Sequence, residues 1–597
     1  MNKKDFENFF QDNEKSEHNN DIFQLNNRPN KQNEEESLKD HALSYKLTLR
    51  KQKIQKTLYL KRNIEFKKLQ NNYYEELEKI EYTQDDFFNE KIYNDLKDSY
   101  LKKDEKKIRN IIYSMTLLLN DIKLDITFFN KMFLKDNLSL NKEGDSINKE
   151  NLLFLILEIG FNTQEKAIFN FCCNLILNFS YISDDFCKQI ITEKNIEEIF
   201  NKLIYFYPLF AESKKINNHC DILEEQTKKN ESYYFGNQIL KILGNLFISS
   251  KTFEAFEANN YYNKIFFLLS TFDLDYENKE NISFRYEYLD TLIWLVDMIL
   301  ILVDNIYIYY SNNINNIIPN LLDIIRAFYY TEETEILNRI IYLIEYLSYI
   351  NDELIIKIVE SKGINNLINL FGYLFVSYKN SGEIILTAEI ILKIINIFSN
   401  IFTLDSKYLK NFDYSQFALV LERLISLYKM HHINHFDIQS GLLGLLSNLA
   451  CFNDIDEIVY RILMNNNIIK YLFNYYNKYH LSDILLFIEN ITIKQLKRIR
   501  DNILNMGGFE IIKNNICNYN EDNKDILEKC IKILYKIIEG EKAFNIRLLF
   551  EKLYNTPIPD KIKDIASNVD LSIESENIIK SIVKDFEIYE KSLDLYD

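Results

Sequence analysis

Five asparagines recur along the chain near the ends of apolar segments, and their chemistry suits an extended peptide ligand. They are Asn178, Asn245, Asn400, Asn448 and Asn490. With Met298 and Tyr346 taken as the equivalent residues of two further segments, neighbouring members lie 42 to 54 residues apart, apart from a first step of 67. A carboxamide offers both donors and an acceptor to a peptide unit. The spacing therefore predicts a row of side chains that could hold a peptide backbone in register.

Helices must carry this row, because apolar residues recur at i, i+3, i+4 and i+7 from about residue 76 to about residue 545. The chain is 47% hydrophobic and has only 12 Gly and 5 Pro in 597 residues, a composition that favours helices. The repeat length lies near the period of about 40–47 residues of armadillo and HEAT arrays. We expect an all-α, right-handed armadillo superhelix with a concave face, and a loop over the polar stretch Ala211–Ser232.

Charge divides the chain into four regions. Residues 1–40 are acidic and Asn-rich, and we expect them to be disordered. Residues 41–70 contain nine Lys or Arg and only one acid, a local charge of +8, within a basic arm that we place at 41–75. The whole chain carries −17, so everything outside 41–70 carries −25. The repeat array spans 76–545, and acidic capping helices follow at 546–597.

The total charge and the absence of several sequence motifs argue against a number of functional classes. The strongly acidic total charge argues against direct binding of nucleic acid. Seven cysteines without a C-x-x-C motif support neither a disulfide framework nor a metal site. The apolar stretch at 291–310 is interrupted by Asp297 and Asp304, so we interpret it as a buried helix and expect no membrane span. Without a phosphate-binding or nucleophile motif, we expect neither an enzyme nor a cofactor.

Three segments together resemble the importin-α (karyopherin-α) family. The segment LRKQKIQKTLYLKRNI at 49–64 is similar to the end of the family's importin-β-binding segment. The segment IIYLIEYLSYINDELIIKIVESKGINNLINLF at 340–371 is similar to its fifth armadillo repeat, including Tyr346 in place of Asn. The segment NIIKSIVKDFEIYE at 577–590 is similar to its acidic C-terminal region.

The resemblance implies a ladder of Trp and Asn that binds a basic localisation-signal peptide. The residues that fall on ladder places are Asn178, Asn245, Trp294, Tyr342, Tyr346, Asn400, Asn448 and Asn490. Met298 departs from the Asn pattern, and Trp294 is the only tryptophan retained. The resemblance also implies that the arm contacts importin-β, or folds back onto the groove, through Arg50, Lys51, Lys53, Lys61 and Arg62.

Acidic residues near the ladder could receive the cationic heads of such a peptide. Three lie seven residues apart on one predicted helix, and two directly precede ladder residues. They are Asp290, Asp297, Asp304, Glu345 and Glu489. Two simpler interpretations stay open: the acids could form a solvated face, and the asparagines could cap helices or join a hydrogen-bond network between repeats.

The resemblance implies a nuclear import adaptor that moves between cytoplasm and nucleus. Its partners would be importin-β, cargo proteins with basic localisation signals, and an export receptor at the C-terminal region. The alternative is an armadillo scaffold of a cytoskeletal or ciliary assembly that has lost signal recognition. The row of asparagines and the basic arm favour the adaptor, whereas the missing tryptophans favour the scaffold.

Overall fold

The computed structural model of the chain describes residues between 77 and 593, with gaps. The described ranges are 77–83, 85–86, 90–121, 152–182, 187, 190, 193–206, 219–247, 256–257, 260–272, 282–302, 311–329, 334–378, 384–404, 406–410, 412–431, 436–450, 462–463, 469–470, 472–473, 481–493, 497–519, 523–543 and 548–593. The predicted tail at 1–40 and the basic arm at 41–75 lie outside the described residues.

Helices make up the regular structure of the described part of the chain, and no strand occurs in it. The helices are α1 (Lys91–Leu101), α2 (Glu105–Asp121), α3 (Leu152–Asn162), α4 (Lys166–Ile182), α5 (Glu193–Phe206), α6 (His219–Phe247), α7 (Tyr261–Ser270), α8 (Ile282–Leu302), α9 (Ser311–Ile324), α10 (Thr334–Ile350), α11 (Asp352–Glu360), α12 (Ile364–Tyr378), α13 (Ile384–Ile401), α14 (Tyr414–His431), α15 (Phe436–Ala450), α16 (Leu481–Ile493), α17 (Lys497–Ile503), α18 (Phe509–Cys517), α19 (Lys524–Ala543), α20 (Leu548–Tyr554), α21 (Ile558–Asn568) and α22 (Ile573–Leu593). The prediction of an all-α solenoid is confirmed.

The helices form two layers that run the length of the stack. One, which we call the ladder layer, consists of helices that each pack against the next: α2, α4, α6, α8, α10, α13, α15, α16, α19 and α22. The second layer packs on it, with α3 against α4, α5 against α6, α7 against α8, α11 against α10, α12 against α13, α17 against α16, α18 against α19, and α21 against α22, and it includes α9, which packs against α7. Buried apolar side chains from Tyr82 to Phe586 form one continuous core between the layers. Each repeat thus completes the core of its neighbours.

Local sequence signals explain where several helices begin and end. The side chain of Asn351 accepts a hydrogen bond of 2.9 Å from the backbone N–H of Leu354, which caps the start of α11. Between α17 and α18, Gly507 has φ of 128°, a conformation that favours glycine, and it separates the two helices. A capping asparagine and a glycine thus set two of the helix boundaries.

The loop predicted over Ala211–Ser232 is wrong from His219 onward, because α6 begins there. The segment His219–Ser232 lacks an apolar stripe, which is why the periodicity did not predict a helix. It contains Glu, Gln, Lys and Leu, which favour helix without any packing. It also runs directly into the buried half of α6, so it continues a helix that packing stabilises.

A buried ion cluster joins α17 to α19. Arg500 is 2% exposed, and its guanidinium lies 2.9 Å from Asp501 and 3.0 Å from Glu541, which is 3% exposed. A Cβ atom at Gly540 would lie 2.9 Å from the guanidinium, so glycine makes room for the arginine.

Among the helices of the described ranges, none has the length and apolar character that a membrane span requires.

Candidate functional site

The predicted ladder residues lie on seven successive helices of the ladder layer, from α4 to α16. Asn178 is in α4, Asn245 in α6, Trp294 in α8, Tyr342 and Tyr346 in α10, Asn400 in α13, Asn448 in α15 and Asn490 in α16. The side chain of Asn178 is outside the described part, as are Asp304 and the arm residues Arg50, Lys51, Lys53, Lys61 and Arg62. The structure therefore brings the remaining ladder residues together as one row across neighbouring helices.

The carboxamides of this row share one contact, in which Nδ2 donates to a serine of the preceding ladder helix. Asn448 donates to the hydroxyl and to the carbonyl oxygen of Ser399, both at 2.9 Å. Asn490 donates to the hydroxyl of Ser447 at 2.6 Å and to its carbonyl oxygen at 3.5 Å. Since a carbonyl oxygen only accepts, these contacts fix which end of each carboxamide is Nδ2. The asparagines do join a hydrogen-bond network between repeats.

The same contact recurs elsewhere in the row with small changes. Asn400 donates to the hydroxyl of Ser348 at 2.8 Å. Asn245 donates to the hydroxyl of Ser180 at 3.1 Å, but it is only 8% exposed. Asn400, Asn448 and Asn490 are half-buried. The row is thus open to a ligand over α13, α15 and α16, and largely covered at α6.

The two tyrosines continue the row on α10. The hydroxyl of Tyr346 donates to the carbonyl oxygen of Leu300 in α8 at 3.1 Å, so Tyr346 replaces the asparagine contact between these two helices. Tyr342 is half-buried on the same side of α10. Tyr349, one turn further along, is 52% exposed. It belongs to the same face and was not singled out from the sequence.

Trp294 packs between helices and is buried rather than exposed to solvent. It is 7% exposed, and a Cβ atom at Gly244 of α6 would lie 2.1 Å from its Cζ3 atom. The indole therefore lies directly on the backbone of the neighbouring helix, a position that only glycine permits. Its Nε1 is buried and meets no acceptor within the described ranges. Such a ring offers little surface to the stem of a lysine.

Gly444 of α15, one turn before Asn448, has the opposite surroundings. Apart from its chain neighbours and the backbone of its own helix, no heavy atom of the described part lies within 4 Å of a Cβ atom placed on it. Leu486 of α16, one turn before Asn490, is half-buried. The open face over α15 therefore exposes the helix backbone at Gly444.

Two of the predicted acids are already paired with cations of the chain. Asp290 of α8 lies 3.1 Å from Nε of Arg339 in α10. Glu489 of α16 lies 2.7 Å from Nζ of Lys536 in α19. Both cations come from the following ladder helix, so the acids link repeats and their charge is neutralised within the chain.

The other acids have different partners. Glu345 accepts a hydrogen bond of 2.8 Å from Nδ2 of Asn396 in α13. Asp297 is half-buried in α8. Asp483, which the sequence analysis did not single out, accepts a bond of 2.7 Å from the hydroxyl of Ser440. Among the described residues no basic side chain lies within ion-pair distance of Asp483.

Asparagine also joins repeats in the second layer. Nδ2 of Asn320 in α9 donates to the carbonyl oxygens of Leu269 and Phe272 at 2.6 and 3.0 Å. Nδ2 of Asn366 in α12 donates to the carbonyl oxygen of Leu322 at 3.1 Å. A contact between repeats is thus a general use of asparagine in this chain. What distinguishes the ladder row is its regular order and its open side.

The residues that sequence reasoning missed are those that position the row. The serines were the clearest signal, because Ser399 and Ser447 stand directly before Asn400 and Asn448. Lys536 gave no local signal, since its partner is 47 residues away. The described residues contain no group of three or more His, Cys, Asp or Glu side chains that could hold a metal ion.

In comparisons by sequence, neither a protein-family profile nor a curated protein matches the chain. In comparisons by structure, one similar chain is SYS-1 in complex with POP-1, with a TM-score of 0.49, 12% identity and 84% of this chain covering 81% of that chain. A designed armadillo repeat protein gives a TM-score of 0.34 at 11% identity, over 45% of this chain and 99% of that one. Another designed armadillo repeat protein, in complex with a (KR)4 peptide, gives a TM-score of 0.31 at 12% identity, over 46% of this chain and 98% of that one.

Proposed function

We propose that the chain is a binding protein whose ladder layer holds an extended peptide segment of a partner across α13, α15 and α16. The observation that carries this proposal is the common orientation of Asn448 and Asn490. Their Nδ2 atoms are held by serines, while their Oδ1 atoms have no hydrogen-bond partner in the described part of the chain. An oriented, half-buried acceptor is what a peptide N–H requires.

The spacing of the row fits an extended backbone. Neighbouring packed helices lie about 8–10 Å apart, and an extended chain rises about 3.3 Å per residue. One acceptor on each helix therefore meets roughly every third peptide unit. Because the row repeats with the helices, affinity grows with the number of helices that the partner segment crosses.

The finer proposal is a nuclear import adaptor. The partner segment would be a basic localisation signal of a cargo protein, and the arm at 41–75 would bind importin-β, with the protein moving between cytoplasm and nucleus. The support for this role is the arm of charge +8 that precedes an acidic repeat array. Opposite charges on arm and array also favour contact between them at low salt.

The second candidate is a scaffold that binds protein segments without a requirement for basic residues. The buried indole of Trp294 favours it, because a buried ring cannot form the wall that a lysine stem needs. The pairing of Asp290 with Arg339 favours it as well. Both candidates use the same row of carboxamides, and they differ in the charge of the segment that is bound.

Binding of a fluorescein-labelled (Lys-Arg)4 peptide to the full chain, measured by fluorescence polarisation, tests the row. We expect the double variant Asn448→Ala, Asn490→Ala to bind about tenfold more weakly, since two hydrogen bonds of roughly 0.5–1.5 kcal/mol each are lost. Asn366→Ala is the matched control, because it removes an equivalent contact between repeats in the second layer. Equal losses in both variants would mean that the row is purely structural.

A second measurement separates the two candidates. The full chain and a variant with Arg50, Lys51, Lys53, Lys61 and Arg62 all changed to Gln are compared for binding to importin-β. We expect the variant to lose at least tenfold in affinity, and the loss to shrink as salt is raised. Undetectable binding of importin-β by the unmodified chain would remove the adaptor role and leave the scaffold.

A further inference from the structure

The row of carboxamides ends at α16, and a lysine takes its place on the next helix. The sequence of α19, KDILEKCIKILYKIIEGEKA, contains neither Asn nor Gln. Lys536 lies 46 residues after Asn490, a step within the range that separates the ladder residues. Its Nζ reaches back to α16 and lies 2.7 Å from Oε1 of Glu489. Glu489 directly precedes Asn490, so the last carboxamide of the row stands beside a carboxylate that is already occupied.

The pair between Lys536 and Glu489 is partly buried. The two side chains are 32% and 21% exposed. A charge-assisted hydrogen bond at this distance is stronger than a neutral one, and partial burial protects it from the screening that weakens exposed pairs. A cationic side chain of a ligand would have to displace Lys536 and leave its ammonium group without a carboxylate.

Lysines one and two turns earlier on α19 are placed differently. Lys532 pairs with Glu574 of α22, whose side chain is 68% exposed, and Lys529 donates to the hydroxyl of Ser482 at 2.7 Å. Neither contacts the carboxylate beside a ladder carboxamide. Lys536 therefore has a position on this helix that its neighbours do not share.

The preceding step of the row, by which we mean the junction between α15 and α16, offers the contrasting case. Asp483 is half-buried between α15 and α16 and accepts a hydrogen bond from Ser440. Within the described ranges no lysine or arginine lies close enough to form an ion pair with it. Nearby, Gly444 leaves the face of α15 open. A cationic side chain can therefore approach the carboxylate of Asp483 without displacing a cation of the protein.

We propose that Lys536 is an intramolecular competitor that determines the specificity of the last step of the row. It occupies Glu489 as a ligand's cationic side chain would, and thereby closes the step between α16 and α19 to lysine and arginine. The step between α15 and α16, with Asp483, stays open to a cation. This inference rests on the peptide-binding function proposed above and assigns the class of side chain that each step accepts.

The test is a gain of binding in the full chain. Lys536→Met keeps a stem of similar length, removes the charge and frees Glu489, so we expect it to bind the labelled (Lys-Arg)4 peptide about five- to tenfold more tightly. Lys532→Met is the matched control, since it changes the net charge by the same amount and leaves Glu489 paired. We expect its affinity to match the unmodified chain. Adding Glu489→Gln to Lys536→Met should abolish the gain.

Two outcomes would overturn the inference. The first is an unchanged or weaker affinity in Lys536→Met, with Lys536→Gln behaving in the same way and circular dichroism showing that both are folded. The second is an equal gain in Lys532→Met, which would indicate a general effect of charge. If the double variant of Asn448 and Asn490 weakens binding while Lys536→Met has no effect, the inference fails and the proposed function stands. If neither variant changes binding, both fail.

Discussion

Gly244 lies in the last turn of ladder helix α6 and Gly444 in the middle of ladder helix α15, yet changing each to alanine should alter stability in opposite directions. A Cβ atom at Gly244 would lie 2.1 Å from Cζ3 and 2.4 Å from Cη2 of Trp294. Carbon atoms in ordinary contact are about 3.5–4.0 Å apart, so the indole or one helix must move by more than about 1 Å. Overpacking of this kind costs about 1–3 kcal/mol. That cost exceeds the gain of up to about 1 kcal/mol from replacing glycine within a helix.

At Gly444 only the gain applies. Apart from its chain neighbours and the backbone of its own helix, no heavy atom of the described part lies within 4 Å of the added Cβ atom. The substitution removes conformational freedom from the unfolded chain and should stabilise the protein by about 0.5–1 kcal/mol. Each variant therefore adds one methyl group to a ladder helix, and the two variants differ in the atoms that this methyl group contacts.

The assay is urea unfolding followed by far-ultraviolet circular dichroism on the full chain. Midpoints are compared rather than extrapolated free energies, because a long repeat array can unfold in more than one step. We expect a lower midpoint for Gly244→Ala and a higher midpoint for Gly444→Ala. Midpoints that move in the same direction, or a Gly244→Ala variant as stable as the unmodified chain, would refute the packing of Trp294 on Gly244.

Ser399→Ala removes one of two acceptors of a ladder carboxamide, so we expect a loss of about 0.5–1.5 kcal/mol and restoration in Ser399→Thr, both read from the urea midpoint. Glu541→Ala takes a buried partner from Arg500 and should cost about 3 kcal/mol; an unchanged midpoint would contradict the buried ion cluster. Burial raises the pKa of Cys173 well above its usual value and keeps it protonated, so a thiol-alkylating reagent should label the half-buried Cys517 before Cys173, as mass spectrometry of digests would show. Faster labelling of Cys173 would contradict its burial.

The placement of the asparagines on neighbouring helices could be predicted, because it depends on a period in the sequence. Asn400, Asn448 and Asn490 follow the helical repeat, and helices that pack in order bring such residues side by side. The same period predicted the solenoid, because apolar stripes need neighbours to cover them. Both predictions use information that recurs many times along the chain.

The burial and the pairing of individual site residues could not be predicted, because they depend on single contacts between residues that are distant in the sequence. Nothing near Trp294 in the sequence indicates that Gly244, 50 residues earlier, leaves room for its ring. Nothing near Glu489 indicates that Lys536 neutralises it. The start of α6 at His219 was missed for another reason: intrinsic helix propensity extended a helix beyond its buried stripe.

The buried position of Trp294 has a practical consequence for measuring conformational change in this protein by fluorescence. The chain has 41 tyrosines and 42 phenylalanines but a single tryptophan. Light emitted by indole therefore originates from one known point, the junction of α6 and α8. A red shift of that emission would report water reaching this junction, so the opening of the junction can be timed without attaching a dye.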